Sequence, residues 1–423
     1  MTSHLATTPN PVPTPKPAAE VSALIAQHEP HKTLPQAFYT ADEVFKADLR
    51  HIFYKTWLFA GHSCEVAESG DYLLVDIGDE SIIVIRDKKD VLHAHFNVCR
   101  HRGSRLLSEP CGHTKTLVCP YHQWAYTLSG ELSGARLMGD VFRKDAYSLR
   151  AAHIREVAGL LFVCLADTPP DFDAAFAAIA PQLHLHRLNR AKVVSRHSYE
   201  VEANWKTVVE NNRECYHCQV THPEFCLSNY DLGLPGDTRQ DAAFELELRE
   251  ARARWEAWGL EPNEVNFPGG SWFRVIRYPL KAGFVTESMD GKLTAPLMGD
   301  LPGPKVGSLR LIGLPNFWGH ANADYASTTR LVPLSPSRTR IDISFLVRDD
   351  AAAEEFDLGR VEAVLKATAE EDWELCETNY AGIKSLAYEP GPLSPITEAS
   401  LAGFLEWYLR QLAAGEGGAA VTR

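Results

Sequence analysis

The sequence predicts an α+β protein of two domains, and three observations lead to that prediction. A chain of 423 residues is longer than one hydrophobic core usually organises. Within residues 45–170, the sequence after residue 59 reads as short strands separated by turn signals. Residues 171–423 mix further strands with long amphipathic helices. We therefore expect a small all-β domain followed by a larger domain of sheet and helices.

Composition and charge narrow the class of protein. Lys+Arg 42 against Asp+Glu 55 gives a net charge of −13, which disfavours nucleic acid as a partner because phosphate binding needs clustered basic residues. No secretory signal and no apolar run near the length of a membrane span is visible, so we expect a cytoplasmic protein with no membrane contact. Nine scattered cysteines are poor material for a disulfide framework, so we expect reduced thiols.

The N-terminal region is predicted to form an arm and one helix. Alternating prolines across residues 1–20 prevent helix and ladder formation, which predicts a disordered, Pro-rich arm. Apolar residues recur at helical spacings from Val44 to Trp57. We expect a single helix over residues 41–59 that packs near the larger domain.

The remaining elements follow from hydrophobic periodicity and turn residues. In the all-β domain we predict strands at 72–77, 81–85 and 92–96, a hairpin over 126–132 and a buried strand at 159–165. In the larger domain we predict helices at 172–188, 205–212, 358–381 and 398–412, and strands at 193–201, 272–278, 308–314, 325–332 and 339–347.

Two Cys/His pairs lie in the all-β domain. Cys99-Arg-His101 and Cys119-Pro-Tyr-His122 are separated by 119 − 101 − 1 = 17 residues. Soft thiolates suit iron–sulfur iron, and two histidines in place of two cysteines on one iron raise its potential. Tetrahedral zinc is the alternative, although zinc fingers usually pair Cys with Cys and His with His. The pattern favours an iron–sulfur cluster.

A second metal site is indicated by His217 and His222, which lie close together in residues 210–222. A third ligand is offered by Asp372, which falls on the apolar face of the helix predicted over 358–381. A carboxylate on a core-facing side is costly unless a cation meets it. Two histidines and a carboxylate form a facial triad that leaves iron open to O2. A buried pair of Asp372 with Arg or Lys is the alternative, and the neighbouring Glu370, Glu371, Glu374 and Glu377 are expected to be solvated.

These motifs resemble those of a known family. The two Cys/His pairs at this spacing resemble a Rieske [2Fe–2S] domain, and nearly the full length of the chain resembles the catalytic alpha subunit of Rieske non-haem iron oxygenases. The resemblance implies that Cys99 and Cys119 hold one iron of the cluster, and that His101 and His122 hold the other. It also implies a homotrimer and a helix-grip catalytic domain with an antiparallel sheet, carrying mononuclear Fe(II).

Glu214 has a separate role by the same resemblance. It lies 217 − 214 = 3 residues before His217, where family members carry a carboxylate that hydrogen-bonds toward a Rieske histidine of the neighbouring subunit. We therefore expect Glu214 to bridge electron transfer between subunits, and not to bind iron. Many ring-hydroxylating members carry Asp there, so Glu disfavours a ring dihydroxylase.

The resemblance is strongest to the quaternary-ammonium group, which includes glycine betaine, stachydrine, carnitine and choline oxygenases. It is carried by residues 99–104, 119–124, 204–206, 210–218, 314–320 and 322–324. It implies hydroxylation of an N-methyl group, converting glycine betaine to dimethylglycine and formaldehyde. Stachydrine or another betaine, or an aromatic acid, is the alternative substrate. A quaternary cation is bound by aromatic faces, for which the candidates are Phe273, Phe284, Phe317, Trp318 and Tyr325.

Electrons are expected to come from another protein, because no Gly-rich dinucleotide loop follows a predicted strand. A separate reductase using NAD(P)H and flavin is the implied partner, with O2 as co-substrate. A Rieske electron carrier is the non-enzyme alternative, but a carrier has no use for His217, His222 and Asp372. Cys215 and Cys218 could form a redox or zinc pair, which the sequence disfavours. The other cysteines are predicted to be small core residues: Cys64, Cys111, Cys164, Cys226 and Cys376.

Overall fold

The computed structural model describes residues 21–139, 141–230, 238–265 and 272–415, and the predicted arm at residues 1–20 lies outside them. The all-β domain contains ten strands in its described part. They are β1 Leu58–His62, β2 Asp71–Ile77, β3 Glu80–Arg86, β4 Leu92–Phe96, β5 Cys111–His113, β6 Leu117–Val118, β7 Ala125–Tyr126, β8 Leu132–Gly134, β9 Ala151–Val157 and β10 Leu160–Cys164. Seven of them form an antiparallel sheet in the order β1-β10-β9-β4-β3-β2-β5, and β6-β7-β8 form a separate small sheet.

The larger domain is built on a six-stranded antiparallel sheet in the order β11-β16-β15-β14-β13-β12. Its strands are β11 Ala191–Val201, β12 Phe273–Tyr278, β13 Ser308–Gly313, β14 Phe317–Ala321, β15 Ala326–Ser335 and β16 Arg338–Arg348. The described helices of the chain are α1 Val21–Gln27, α2 Ala37–Thr40, α3 Asp42–Asp48, α4 Asp173–Leu183, α5 Trp205–Asn212, α6 Cys218–Thr221, α7 Pro223–Ser228, α8 Thr238–Ala257, α9 Leu358–Ile383 and α10 Ala399–Gly415. The expected α+β class, with an all-β domain beside an antiparallel sheet and helices, is confirmed.

A buried ion pair ties the N-terminal helices to α5. Asp48 of α3 accepts a hydrogen bond from Lys206 of α5 at 2.5 Å, and both side chains are fully buried. The carboxylate of Asp48 also accepts from Trp205 Nε1 and from the hydroxyl of Tyr408 on α10, at 2.9 and 2.8 Å. Burial raises the pKa of Asp48 and lowers that of Lys206, so the charged pair depends on these mutual contacts. This network fixes the helix that leads into the segment containing His217.

Asn316 and Phe317 join the two domains. The side chain of Asn316 accepts from the backbone N–H of Phe59 in β1 at 2.9 Å and donates to its carbonyl at 3.2 Å. The ring of Phe317 lies 4.4 Å from the ring of Phe59, centroid to centroid. Both rings belong to one hydrophobic core that runs from the first sheet to the second. The residues around β14 are therefore divided between this core and the opposite face of the sheet.

Several element boundaries differ from the sequence-based expectations. The predicted helix over 41–59 stops early, because α3 passes into a π-helical turn at Leu49–Phe53 and the following residues form β1. All five residues of β1 are buried and the strand pairs with β10, so sheet pairing outweighs the helical spacing. The helix predicted over 172–188 ends at Leu183, and Arg187 adopts a left-handed conformation with φ 50°.

Strand β14 and helix α8 are among the elements of the larger domain that the sequence did not predict. Strand β14 is short and contains Gly319 and His320, which weaken a strand pattern, yet it is paired on both sides by β13 and β15. Helix α8 follows a polar, charged sequence with a weak apolar face. Within the described ranges, no helix has the length and apolar character needed to cross a membrane.

Candidate metal centres

The first candidate centre lies at the tip of two loops of the all-β domain. Cys99 and Cys119 are 2% and 1% exposed, and each begins a tight turn. The backbone N–H of Cys99 donates to the carbonyl of Ser104, and the N–H of Cys119 donates to the carbonyl of Trp124. These two bonds close two short loops, and each loop presents one Cys/His pair. The two Cys/His pairs therefore lie on two separate short loops of the all-β domain.

The histidines of the two loops face each other with free nitrogen atoms. The rings of His101 and His122 are 4.6 Å apart at a steep angle, and Trp124 stacks on His101 at 4.8 Å. The Nδ1 atoms of both histidines are buried and have no hydrogen-bond partner in the described part of the chain. Unpaired buried nitrogens are rare in proteins. Two such nitrogens beside two buried thiols are a donor set that fits a Rieske cluster.

Tyr126 is a site residue that sequence reasoning missed. Its hydroxyl accepts from the backbone N–H of Arg100 at 3.0 Å and lies 3.4 Å from Cys99 Sγ. Because the backbone N–H occupies an acceptor position, the hydroxyl proton can be donated to the sulfur. Burial raises the pKa of Cys99, and the contact with Tyr126 opposes that rise. A tyrosine two residues after Trp124 carries no motif signal, so only its position in β7 reveals the contact.

The second candidate centre is where α9 meets the segment between α5 and α7. Asp372 Oδ1 lies 3.0 Å from His222 Nε2 and 3.3 Å from His217 Nε2. His222 is 1% exposed, and the side chains of His217 and Asp372 are each 18% exposed. Two imidazole rings from one segment thus converge on a carboxylate oxygen that lies about 150 residues further along the chain. Two imidazole nitrogens and a carboxylate are the donor set of the facial triad.

Carboxylates also hold the far side of each histidine ring. Glu214 Oε1 lies 2.6 Å from His217 Nδ1, and Glu371 Oε2 lies 2.7 Å from His222 Nδ1. Metal-binding histidines almost always donate their second ring N–H to such a group, which fixes the tautomer and turns the other nitrogen to the metal. Both rings therefore present Nε2 to Asp372. Glu371, expected to be a solvated surface residue, is instead part of the site, because it turns toward α7 while Asp372 faces the cavity.

The electrostatics of the triad suit a cation. Burial lowers the pKa of His217, but hydrogen bonds with Asp372 and Glu214 outweigh burial and raise it to about 9. The pKa of His222 is also raised, since its bonds with Asp372 and Glu371 outweigh burial. Burial raises the pKa of Asp372, but its bonds with the two histidines bring it below the usual value. A metal bound here would displace imidazole protons, as metal binding releases protons from its ligands.

The triad opens into a cavity of about 340 Å³. One wall is formed by strands of the six-stranded sheet and includes the aromatic residues Tyr278 and Trp318, and Phe225 of α7 also lines the cavity. A cavity of this size accommodates a small molecule, and its polar and aromatic lining can orient one. The cavity therefore leaves room for a small molecule next to Asp372.

Of the five aromatic residues expected to bind a cation, Trp318 lines this cavity. Phe273, Phe317 and Tyr325 are 4%, 3% and 0% exposed and pack in the core, and Phe284 does not line the cavity either, so the expectation for these four is corrected. Side chains alternate across a strand, so Trp318 faces the cavity whereas Phe317 faces the other domain.

The cysteines near the triad differ from expectation. Cys215 and Cys218 form a disulfide that brackets His217, where reduced thiols were expected. The sulfur of Cys218 lies near His217 and His222, but the disulfide removes it as a thiolate ligand. Among the cysteines expected in the core, Cys111 is exposed in the short strand β5. Cys164 and Cys376 are buried, and Cys64 and Cys226 are partly buried.

Two family models match the chain and together cover both centres. Residues 56–143 match the Rieske [2Fe-2S] domain, and residues 188–414 match the ring hydroxylating alpha subunit (catalytic domain). The chain is also similar to curated proteins. It is 40% identical over 392 residues to the glycine betaine monooxygenase oxygenase subunit of Chromohalobacter salexigens, covering 91% of this chain and 87% of that protein.

Further relatives extend the similarity. The chain is 37% identical over 401 residues to the glycine betaine monooxygenase oxygenase subunit of Pseudomonas aeruginosa strain UCBPP-PA14, covering 94% of this chain and 93% of that protein. It is 37% identical over 275 residues to the carnitine monooxygenase oxygenase subunit of Acinetobacter baumannii, covering 58% of this chain and 71% of that protein. Glycine betaine and carnitine oxygenases both belong to the quaternary-ammonium group that the sequence motifs resemble.

Solved structures support the fold. The quaternary ammonium Rieske monooxygenase CntA, in complex with an inhibitor, superposes with a TM-score of 0.70 at 22% identity, covering 93% of this chain and 99% of that chain. Naphthalene 1,2-dioxygenase from Rhodococcus sp., bound to indole, gives 0.65 at 21% identity, covering 90% and 94%. The matches imply a Rieske [2Fe–2S] cluster and mononuclear non-haem iron, with O2 as co-substrate. The chain therefore belongs to the family of Rieske oxygenase alpha subunits, which are enzymes and not simple electron carriers.

Proposed function

We propose that this chain is the terminal oxygenase component that removes an N-methyl group from a betaine, and that the substrate is glycine betaine. The observation that carries the proposal is the convergence of His217, His222 and Asp372 in a cavity lined by Trp318. The glycine betaine monooxygenase subunits that resemble the chain over most of its length support this substrate. Another betaine, such as stachydrine, is the second candidate, since the carnitine monooxygenases are also related.

The residues that hold the two iron centres are assigned from geometry and donor chemistry. Cys99, His101, Cys119 and His122 would hold the [2Fe–2S] cluster, supported by the two buried thiols and the two unpaired Nδ1 atoms. At the second centre, His217, His222 and Asp372 would hold the mononuclear iron through two Nε2 atoms and a carboxylate oxygen.

The reaction balances as hydroxylation followed by loss of formaldehyde. When bound, the mononuclear iron supplies the activation of O2. The trimethylammonium group, O2, two electrons and two protons give the N-hydroxymethyl compound and water. Cleavage of its C–N bond then releases formaldehyde, a proton and the dimethylamino product. The chain's residues would orient the substrate for this reaction, with the indole face of Trp318 against the ammonium group.

We propose that electrons reach the triad through two other protein chains, a reductase and a neighbouring copy of this subunit. A separate NAD(P)H-dependent flavin reductase would deliver electrons to the cluster, and its use of that dinucleotide supports a cytoplasmic location. A homotrimer would bring the cluster of one subunit to the triad of the next, with Glu214 as the bridge. Within its own chain Glu214 holds His217 and accepts from the backbone N–H of Tyr216, so its carboxylate is already fixed beside the triad.

Formaldehyde release in a reductase-coupled assay tests the proposal. The loaded enzyme is offered glycine betaine, stachydrine, carnitine, choline and an aromatic acid under air. We expect formaldehyde and dimethylglycine in equal amounts from glycine betaine, with the highest kcat/KM of the panel. Stachydrine as the best substrate would shift the assignment to the second candidate. No formaldehyde from any N-methyl compound would overturn the proposal.

A further inference from the structure

A buried arginine in the cavity has unused hydrogen-bond donors. Arg213 is the residue that directly follows α5, at its C-terminal cap. It is 5% exposed and lines the same cavity as His217 and Asp372. Its Nη2 donates to the side-chain oxygen of Asn212. Its Nε and Nη1 are buried and have no partner among the residues that the structure describes. The guanidinium therefore has donors free for a group that the chain does not supply.

The other arginines of the cavity differ from Arg213. Arg274 donates to Glu264 at 3.1 and 2.8 Å, so it faces a carboxylate. Arg310 donates to the fully buried Glu287 at 3.0 Å. Both cations are thus neutralised by the chain itself. No ion pair links Arg213 to any carboxylate within the described ranges.

A buried arginine can also be largely satisfied by carbonyl groups, as Arg277 shows, although its Nε, like that of Arg213, has no partner among the described residues. It is 3% exposed, and its two terminal nitrogens donate to the carbonyls of Val306 and Gln182 at 3.0 and 2.7 Å. Arg277 does not line the cavity. Its role is structural, whereas two of the nitrogens of Arg213 have no such acceptors.

The electrostatic setting of Arg213 favours an anion. Burial, and to a smaller extent the positive charge of Arg274, together lower the pKa of its guanidinium to about 9. A buried cation is unfavourable unless an opposite charge or acceptors meet it. An anionic ligand in the cavity would supply that charge, and guanidinium is well suited to a carboxylate.

We propose that Arg213 binds the carboxylate of the substrate and selects carboxylate-bearing quaternary ammonium compounds over alcohols and neutral analogues. This inference rests on the proposed N-demethylation in the same cavity and specifies which end of the betaine is recognised by charge. Trp318 would hold the trimethylammonium end, and Arg213 the opposite end. A zwitterion then meets one aromatic face and one guanidinium, which an alcohol such as choline cannot do.

The first test uses wild-type holoenzyme and needs no variant. Glycine betaine is compared with its carboxamide, which has nearly the same shape and no negative charge, and with choline. Formaldehyde release gives kcat/KM for each compound. We expect kcat/KM of the acid to exceed that of the amide by at least about 30-fold, because the amide leaves the buried charge of the arginine without a partner. Equal values for acid and amide would overturn the inference.

The second test removes the charge of the arginine. Arg213→Gln should bring the acid-to-amide ratio within about threefold, and Arg213→Lys should retain part of it, because Lys keeps the charge without the planar donors. Arg360→Gln is the matched control: Arg360 is half-exposed, pairs with Asp290, and should leave the ratio unchanged. An equal loss for acid, amide and choline would show a structural role and overturn the inference.

The third test does not depend on turnover. Calorimetric binding to anaerobic holoenzyme, without reductase, should show that glycine betaine binds wild type and that Arg213→Gln weakens it at least about 30-fold. Without ligand, Arg213→Gln should melt at a higher temperature than wild type, because an unpaired buried charge is removed. Glycine betaine should raise Tm of the wild type and not of the variant. A ligand-induced rise of the same size in both proteins would contradict the inference.

The two proposals fail in different ways. Wild-type enzyme that releases no formaldehyde from any N-methyl compound contradicts the proposed function. Wild-type enzyme that demethylates glycine betaine, with no preference for acid over amide, contradicts the role of Arg213 and leaves the function standing.

Discussion

The two candidate metal centres differ in how their ligands are spread along the chain. The proposed cluster ligands all fall between Cys99 and His122, on two loops that are each closed by a backbone hydrogen bond. The proposed mononuclear ligands come from two places about 150 residues apart, and meet only because α9 packs beside α7. The first centre is local and the second depends on the whole larger domain. A variant in one centre should therefore leave the other centre intact.

The largest effect, a loss of coupled turnover, is expected from a variant in the first centre, the cluster site. His122→Ala removes one of the two unpaired Nδ1 donors at the loop tips. Coupled turnover should fall by at least about 10³-fold, because the cluster that passes electrons is lost. Iron content should fall from about three to about one per chain, with the Rieske EPR signal absent. Retention of that signal would show that His122 is not a ligand.

The same contrast explains what the sequence could predict. The Cys/His pairs are contiguous motifs, so their spacing alone indicated a cluster. Asp372 was found because a carboxylate on an apolar helix face is unusual. Glu371 and Arg213 carry no such signal, since a glutamate beside Asp372 and an arginine beside Glu214 look like ordinary polar residues. Their roles depend on which way α9 and α5 turn in the folded chain.

The fold was predicted in the same uneven way. Strongly periodic elements such as α9 were found nearly to the residue, because period and capping agree. The helix predicted over 41–59 runs into the first two residues of β1, because the helical spacing extends to Trp57 and only the pairing of β1 with β10 makes Leu58–His62 a strand. The prediction of the aromatic pocket was largely wrong, because a sequence does not show which face of β14 lines the cavity and which packs against Phe59.

The next largest effect is expected on stability. It concerns the buried ion pair of Asp48 with Lys206, which supports the helix leading into the second centre. Asp48→Asn leaves the charge of Lys206 buried without a carboxylate. We expect the free energy of unfolding to fall by about 3–5 kcal/mol, measured by denaturant melts of the holoenzyme. Glu43→Gln, which breaks the exposed pair of Glu43 with Lys46, should leave the free energy of unfolding close to that of the wild type, because solvent screens exposed ion pairs. Similar losses in both variants would contradict the role given to the buried pair.

A smaller effect is expected where a carboxylate holds a ligand without binding metal. Glu371→Gln weakens the bond that fixes the ring of His222. Mononuclear iron affinity should fall by about 10- to 100-fold, measured by iron retention against a chelator, with the Rieske signal unchanged. Glu374→Gln, at an exposed position of the same helix, is the control. Unchanged affinity in Glu371→Gln would show that this contact is incidental.

The smallest effect is a change of potential at the local centre. Tyr126→Phe removes the hydroxyl next to Cys99 Sγ. Hydrogen bonds to cluster sulfur raise the potential, so we expect a fall of roughly 40 mV, which corresponds to one hydrogen bond of about 1 kcal/mol. Redox titration followed by EPR measures it. A potential equal to that of the wild type would mean that the hydroxyl does not donate to the cluster.

Iron content and EPR of Asp372→Ala test most directly that the two centres are separate and that α9 completes the second. Fully loaded wild type should contain about three irons per chain and show a Rieske signal after reduction. Asp372→Ala should contain about two, with the same Rieske signal and no formaldehyde release. Only about two irons in the loaded wild type, or a third iron retained in Asp372→Ala, would contradict the assignment of His217, His222 and Asp372 as the mononuclear centre.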